Sequence, residues 1–151
     1  MIRKSVWPLI LAVLGLLLVR NALAQDLLMA RVPMTFPEAM SKLQETLKKH
    51  KQTLSRVQRV DIGLTSKGYK TDKYRVVFFG RADEVQDLIN QYPEFIPYLP
   101  HKIAVFAEQD ETVLVAANPE HLFKSDNPKK QAIVKRWHAD LEKIFHDMRQ
   151  E

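Results

Sequence analysis

The stretch Tyr74-Arg75-Val76-Val77-Phe78-Phe79-Gly80 constrains this chain most. It is nearly continuous in apolar, β-favouring residues, so it reads as a buried strand. A buried strand needs partners along both edges and cover over its faces. The other segments must supply them.

Residues 27–32 read as a first strand. Thr35-Phe36-Pro37-Glu38 is a capping box, with Thr35 as the cap, Glu38 reaching back and Pro37 harmless in the first turn. The helix behind it places Phe36, Ala39, Met40, Leu43 and Leu47 on one stripe, and Lys48, Lys49 and Lys51 favour its dipole at the far end. Residues 54–64 alternate through Val57, Val60, Ile62 and Leu64, with a phase change between Val57 and Val60, which predicts a strand carrying a kink or bulge. A polar loop with Gly68 leads to the buried strand. Residues 82–91 read as a helix with Val85, Leu88 and Ile89 inward, and Pro93, Pro97 and Pro100 punctuate a loop carrying Phe95, Ile96, Tyr98 and Leu99. Residues 102–108 and 112–117 flank Gln109-Asp110-Glu111 as a hairpin, and residues 120–124 as a short helical turn. Asp126-Asn127-Pro128 opens a long helix whose stripe is Val134, Trp137, Leu141, Ile144, Phe145 and Met148. This order predicts an α+β, two-layer sandwich: a mostly antiparallel sheet with helices packed on one face.

Ahead of it stands a different kind of segment. Arg3 and Lys4 precede an apolar run over residues 6–19, then come Arg20, Asn21 and Ala22-Leu23-Ala24. That is the order of a secretory signal peptide, with small residues placed for a peptidase pocket. The run is short of the roughly 20 apolar residues of a spanning helix. The domains are therefore read as a signal peptide over residues 1–24 and a single α+β domain over residues 25–151, exported to a periplasm. An uncleaved anchor is the alternative, kept open by Arg20. The membrane is otherwise not a partner.

Export changes what the charge means. The whole chain carries 23 basic and 18 acidic residues, a net of +5. Without Arg3, Lys4 and Arg20, twenty basic residues face eighteen acidic, a net of +2. No basic face interleaved with aromatics stands out, so nucleic acid is not expected as a partner. The chain has no cysteine, which excludes disulfides, thiol nucleophiles, cysteine-ligated zinc and lipidation at a cysteine.

Several of these features together resemble the domain of unknown function 302 family, a small two-layer α+β domain of bacterial and archaeal proteins. The resemblance runs from about Leu27 into the last helix. It is carried by Thr35-Phe36-x-Glu38-Ala39, Arg59-Val60-Asp61-Ile62, the strand from Tyr74 to Gly80, the stretch from Phe95 to Pro100, and Ala117-Asn118-Pro119. It implies the fold but no reaction. Two positions depart from the family pattern. Where the family commonly reads Gly-x-Cys-Asn-Pro, this chain has Gly80-Arg81-Ala82-Asp83-Glu84. Where it commonly reads Leu-Pro-Cys-Asn, this chain has Leu99-Pro100-His101-Lys102. Ala82 and His101 thus stand where cysteines would, and no thiol role can operate here.

If the fold follows that family, the Gly80-Arg81 turn and the His101-Lys102 segment come together. Arg81, His101 and Lys102 would then line a cationic cleft for a carboxylate or another anion. Set against it, Asp83 and Glu84 already occupy the first helical turn and can satisfy its donors, and His101 also reads as an ordinary loop histidine. Acid–base catalysis by His101 on an anionic substrate would need an oriented partner, and no spacing identifies one, so no catalytic residue is assigned. His50, His101, His121, His138 and His146 are isolated, Glu142 lies four residues from each of the last two, and Met29, Met34 and Met40 would suit soft copper binding, although Met40 is better explained as core. No metal site or cofactor is assigned. Tyr92, Phe95 and Tyr98 read either as a lid on the sheet or as a contact for a protein partner or a second copy. The last helix poses the same choice between core and homodimer. The reading for function is an exported binding or interaction module, with an enzyme and a structural homodimer as alternatives.

Overall fold

The computed structural model describes residues 26–150, so the segment read as an export signal lies outside the described residues. In chain order the elements are β1 (Leu27–Val32), α1 (Phe36–Lys49), β2 (Thr53–Arg59), α2 (Val60–Thr65), β3 (Tyr74–Gly80) and α3 (Ala82–Gln91). A 3-10 helix (Pro93–Tyr98), β4 (His101–Glu108), β5 (Glu111–Ala117), α4 (Pro119–Leu122) and α5 (Pro128–Arg149) follow. The five strands form one sheet in the order β1-β5-β4-β3-β2, every neighbour antiparallel. The apolar run of β3 is paired on both edges, as its composition demands.

Side-chain alternation sorts the sheet into two faces. Leu28, Ala30, Val32, Val77, Phe79, Ile103, Val105, Leu114 and Ala116 share one face and enter the main core. Helix α1 meets them with Phe36, Ala39, Leu43 and Leu47, and α5 with Leu141, Ile144, Phe145 and Met148. Both stripes read from the sequence are thus consumed inside the chain. At about 1.5–3 kcal/mol for each large apolar side chain buried, this layer is the main source of stability. The alternate strand residues, among them Val76, Ala104, Phe106 and Val115, stay outside that core and are partly buried.

The capping box forms as expected: the Thr35 backbone N–H donates to Glu38 at 3.0 Å and its hydroxyl at 2.6 Å. At the start of α5 the Asn127 side chain accepts from the backbone N–H groups of Lys129 and Lys130.

Two expectations change. The alternation over residues 54–64 is not one strand. β2 ends at Arg59, and Val60–Thr65 is a helix. Val60 and Leu64 sit four apart, which suits a helix face as well as a strand. Asp61 then faces Arg75 of β3 in an ion pair, and the Thr65 hydroxyl donates back to the Asp61 carbonyl at 2.9 Å. The sheet irregularity falls earlier, between Leu54 and Arg56. The proline-punctuated stretch is also not an open loop. Pro93 and Pro97 are accommodated in a single six-residue 3-10 helix.

Candidate functional site

Register across β3 and β4 pairs Phe79 with His101 and Phe78 with Lys102. Neighbouring positions on a strand face opposite sides, so His101 turns toward the helices and Lys102 away from them. His101 lies between Phe79 (ring centroids 5.8 Å apart) and Trp137 of α5 (4.9 Å, edge-on). Burial lowers its pKa to about 4, although the charges of Glu84 and Asp140 pull the other way. The imidazole is therefore neutral near pH 7. No carboxylate hydrogen-bonds to it among the described residues, so the oriented acid–base pair that catalysis would need is not formed.

Arg81 precedes α3 and is tied down. Its guanidinium donates to Asp140 of α5 at 2.9 Å and lies 3.9 Å from Glu84. Glu84 also takes a two-point contact from Arg136, one arm at 3.0 Å. Two cations and two carboxylates cancel, and together they clamp α3 to α5. Lys102, by contrast, is exposed and no carboxylate pairs with it among the described residues. The three residues expected in one cleft are thus divided by the His101 ring, with Arg81 on one side and Lys102 on the other.

His101 borders two spaces. The inner one, shared with Gln52, Arg81, Glu84 and Asp140, has about 20 Å³, room for roughly one water. Gln52 is buried there and its Oε1 has no protein partner. The outer one has about 180 Å³ and is walled by Phe78, Tyr98, Pro100, Leu122, Phe123 and Trp137, with Lys102 at its polar side. This is the cleft with room for a molecule.

Its walls are set by a second apolar cluster. Phe95 is fully buried, with ring contacts to Phe123 at 4.7 Å, Trp137 at 4.8 Å and Tyr92 at 5.8 Å. Phe95 has no exposed surface to offer a partner; the 3-10 helix turns it inward into this second cluster, with Leu88, Val134 and Trp137. Tyr92 and Tyr98 remain half-buried, Tyr98 edge-on to Phe123 at 5.5 Å in the cleft wall. Sequence reasoning missed Phe78, Leu122, Phe123 and the second role of Trp137. The one available signal was Trp137 itself, the bulkiest member of the α5 stripe and the one closest to its start after Val134.

Three of the other four histidines sit at joints between elements: His50 bonds Asp147 at 2.9 Å, His121 pairs with Asp26 at 2.9 Å, and His138 meets Asn118 at 3.0 Å, while His146 is exposed on α5. Among the described residues no group of three or more metal-ligating side chains of His, Cys, Asp or Glu gathers, and no helix is long and apolar enough to cross a membrane.

The architecture defines a class: a two-layer α+β domain with a small aromatic-walled cleft where strands β3 and β4 meet α4 and α5. More particularly, the chain belongs to the family described as Domain of unknown function DUF302, which matches residues 29–148. It is similar in fold to the crystal structure of an uncharacterized conserved protein DUF302 from Bacillus stearothermophilus, with a TM-score of 0.76 and 20% identity, over 83% of this chain and all of that one. No curated protein matches the chain.

Proposed function

We propose that this protein is an exported binding module whose outer cleft takes a small, mainly apolar anion, such as an aromatic or medium-chain carboxylate. The observation that carries this reading is the pairing of an aromatic-walled space of about 180 Å³ with the carboxylate-free ammonium of Lys102 at its side. Apolar walls with one placed polar group are the ordinary make-up of a small-ligand site. Phe78, Tyr98, Phe123 and Trp137 would hold the body of the ligand by area and ring contacts. Lys102 would meet its carboxylate, and the neutral His101 ring offers one further hydrogen bond. Arg81 takes no direct part, since Asp140 and Glu84 already hold it. Export rests on residues 1–24 and their charge, length and Ala22-x-Ala24 pattern.

Calorimetric titration with 2-naphthoate tests the cleft, with neutral 2-naphthalenemethanol as the comparison. Binding of the acid is expected, weakened about tenfold by Lys102→Ala, the order of a single charge-assisted hydrogen bond. Equal affinity for acid and alcohol, or no heat at millimolar ligand, would sink the proposal.

A further inference from the structure

Helix α1 ends in a left-handed turn. Lys51 takes the left-handed conformation (φ 57°) and donates to the Lys48 carbonyl at 2.9 Å, and the next N–H, that of Gln52, donates to the Leu47 carbonyl at 2.8 Å. The residue after the left-handed one in such a turn is commonly apolar and packs back on the helix. Here it is Gln52, only 5% exposed. Pairing of Thr53 with Gly80 sets that side chain beside the Gly80-Arg81 turn, in the inner space of about 20 Å³ with Glu84, His101 and Asp140. The Gln52 amide makes no hydrogen bond to any described residue, and its Oε1 is sealed from bulk solvent. A buried amide without a partner costs more than an apolar side chain in its place. The two nitrogens of the His101 ring likewise make no hydrogen bond to the described residues. Two buried polar groups in need of partners thus border one space of the size of a water.

We infer that one water molecule bridges Gln52 and His101 in the inner space, and that it fixes which ring nitrogen His101 turns to the outer cleft. The water donates one hydrogen to Gln52 Oε1. It donates the other to the Asp140 carboxylate, which already accepts from Arg81 and whose charge makes it a stronger acceptor than an imidazole nitrogen. With both hydrogens given, the water can only accept from the ring, so the inner ring nitrogen carries the proton. Glu84 and Asp140 favour the same arrangement, because both carboxylates act on the ring from this side. A neutral imidazole has one donor and one acceptor nitrogen. The nitrogen left for the outer cleft is then the acceptor. Resting on the reading of that cleft as a small-anion site, this adds a requirement. Besides the carboxylate that meets Lys102, the ligand carries a hydroxyl or N–H that donates to His101. Gln52 is a positioning residue, acting on the ligand only through the water and the ring.

Long-range proton–nitrogen NMR spectra of the full chain near pH 7, or of the processed form recovered from cells, read the ring directly. The expected result is a single dominant tautomer of His101, with cross-relaxation between a bound water and the Gln52 amide protons. Gln52→Met keeps the length and removes the amide. It is expected to shift the tautomer ratio about fivefold toward parity, the order of one neutral hydrogen bond. Calorimetry reads the consequence: 4-hydroxy-2-naphthoate is expected to bind about fivefold tighter than 4-methoxy-2-naphthoate, which lacks the donor, and the preference to shrink in Gln52→Met. A parent without bound water at Gln52 overturns the inference, and that measurement needs no variant to fold. So does a tautomer ratio unmoved in Gln52→Met, or equal affinity for the hydroxy and methoxy acids. If no naphthoate binds at all, the cleft reading fails by itself, and the spectra of the parent still decide the water and the tautomer.

Discussion

An imidazole held between Phe79 and Trp137 takes up a proton less readily than one in water, and the cost appears in folding. The folded His101 has a pKa of about 4 against 6.5 for the free side chain. Below pH 6.5 the unfolded chain binds this proton first, so stability is complete above that pH and falls as pH drops toward 4. The loss from this one group amounts to roughly 3 kcal/mol by linkage. Glu38 and Asp147, both held below their ordinary values by hydrogen bonds, act at lower pH, as the medium falls past the usual carboxylate range. Urea denaturation of His101→Phe between pH 7 and 4 is expected to show a flatter decline than the parent over that window. An unchanged slope would mean the ring is wetter than its neighbours imply. His101 stood out in the sequence because it lies beside Lys102 at a strand start. Its neutrality was not legible there, because burial depends on Trp137, 36 positions away along the chain. Arg81 misled for a related reason: its charge is visible in sequence, but Asp140, which cancels it, lies on another helix.

Among the elements, α5 is the most firmly specified. Its six apolar stripe positions are all buried, and Asn127 begins it with a side-chain cap. Asn127→Ala is expected to cost about 1 kcal/mol in thermal or urea unfolding, with the fold retained, as for other helix caps. A neutral effect would show that Pro128 alone sets the start. Where two periods coincide, sequence was a poor guide. Val60, Ile62 and Leu64 alternate like a strand, yet Val60 and Leu64 also share a helical face. The ion pair between Asp61 and Arg75 forms on the helical solution, and no local pattern announces it. The 3-10 helix was hidden likewise: prolines signal a break, and only the burial of Phe95 shows that the break is itself an ordered turn.

At the scale of the whole molecule, the two-layer arrangement and the antiparallel pairing followed from element order, whereas the placement of the cleft did not. It arises where the end of β5, the short α4 and the 3-10 helix converge, three segments with no shared motif. The export reading makes its own prediction. Intact-mass measurement of protein recovered from the periplasm of a Gram-negative host is expected to give a chain beginning at Gln25; a chain beginning at Met1 would refute cleavage. The strand order carries a temporal consequence as well. β1 is made first but pairs only with β5, Leu27 opposite Ala117. At roughly 5–20 residues per second of synthesis, that partner arrives about 5–20 s later. Until then Leu28, Ala30 and Val32 have no sheet to join. Closing the contact with the longest loop is the slow step expected of such a topology, so the nascent chain spends its early life as a four-strand problem with an unmatched fifth piece, a natural client for a holding chaperone.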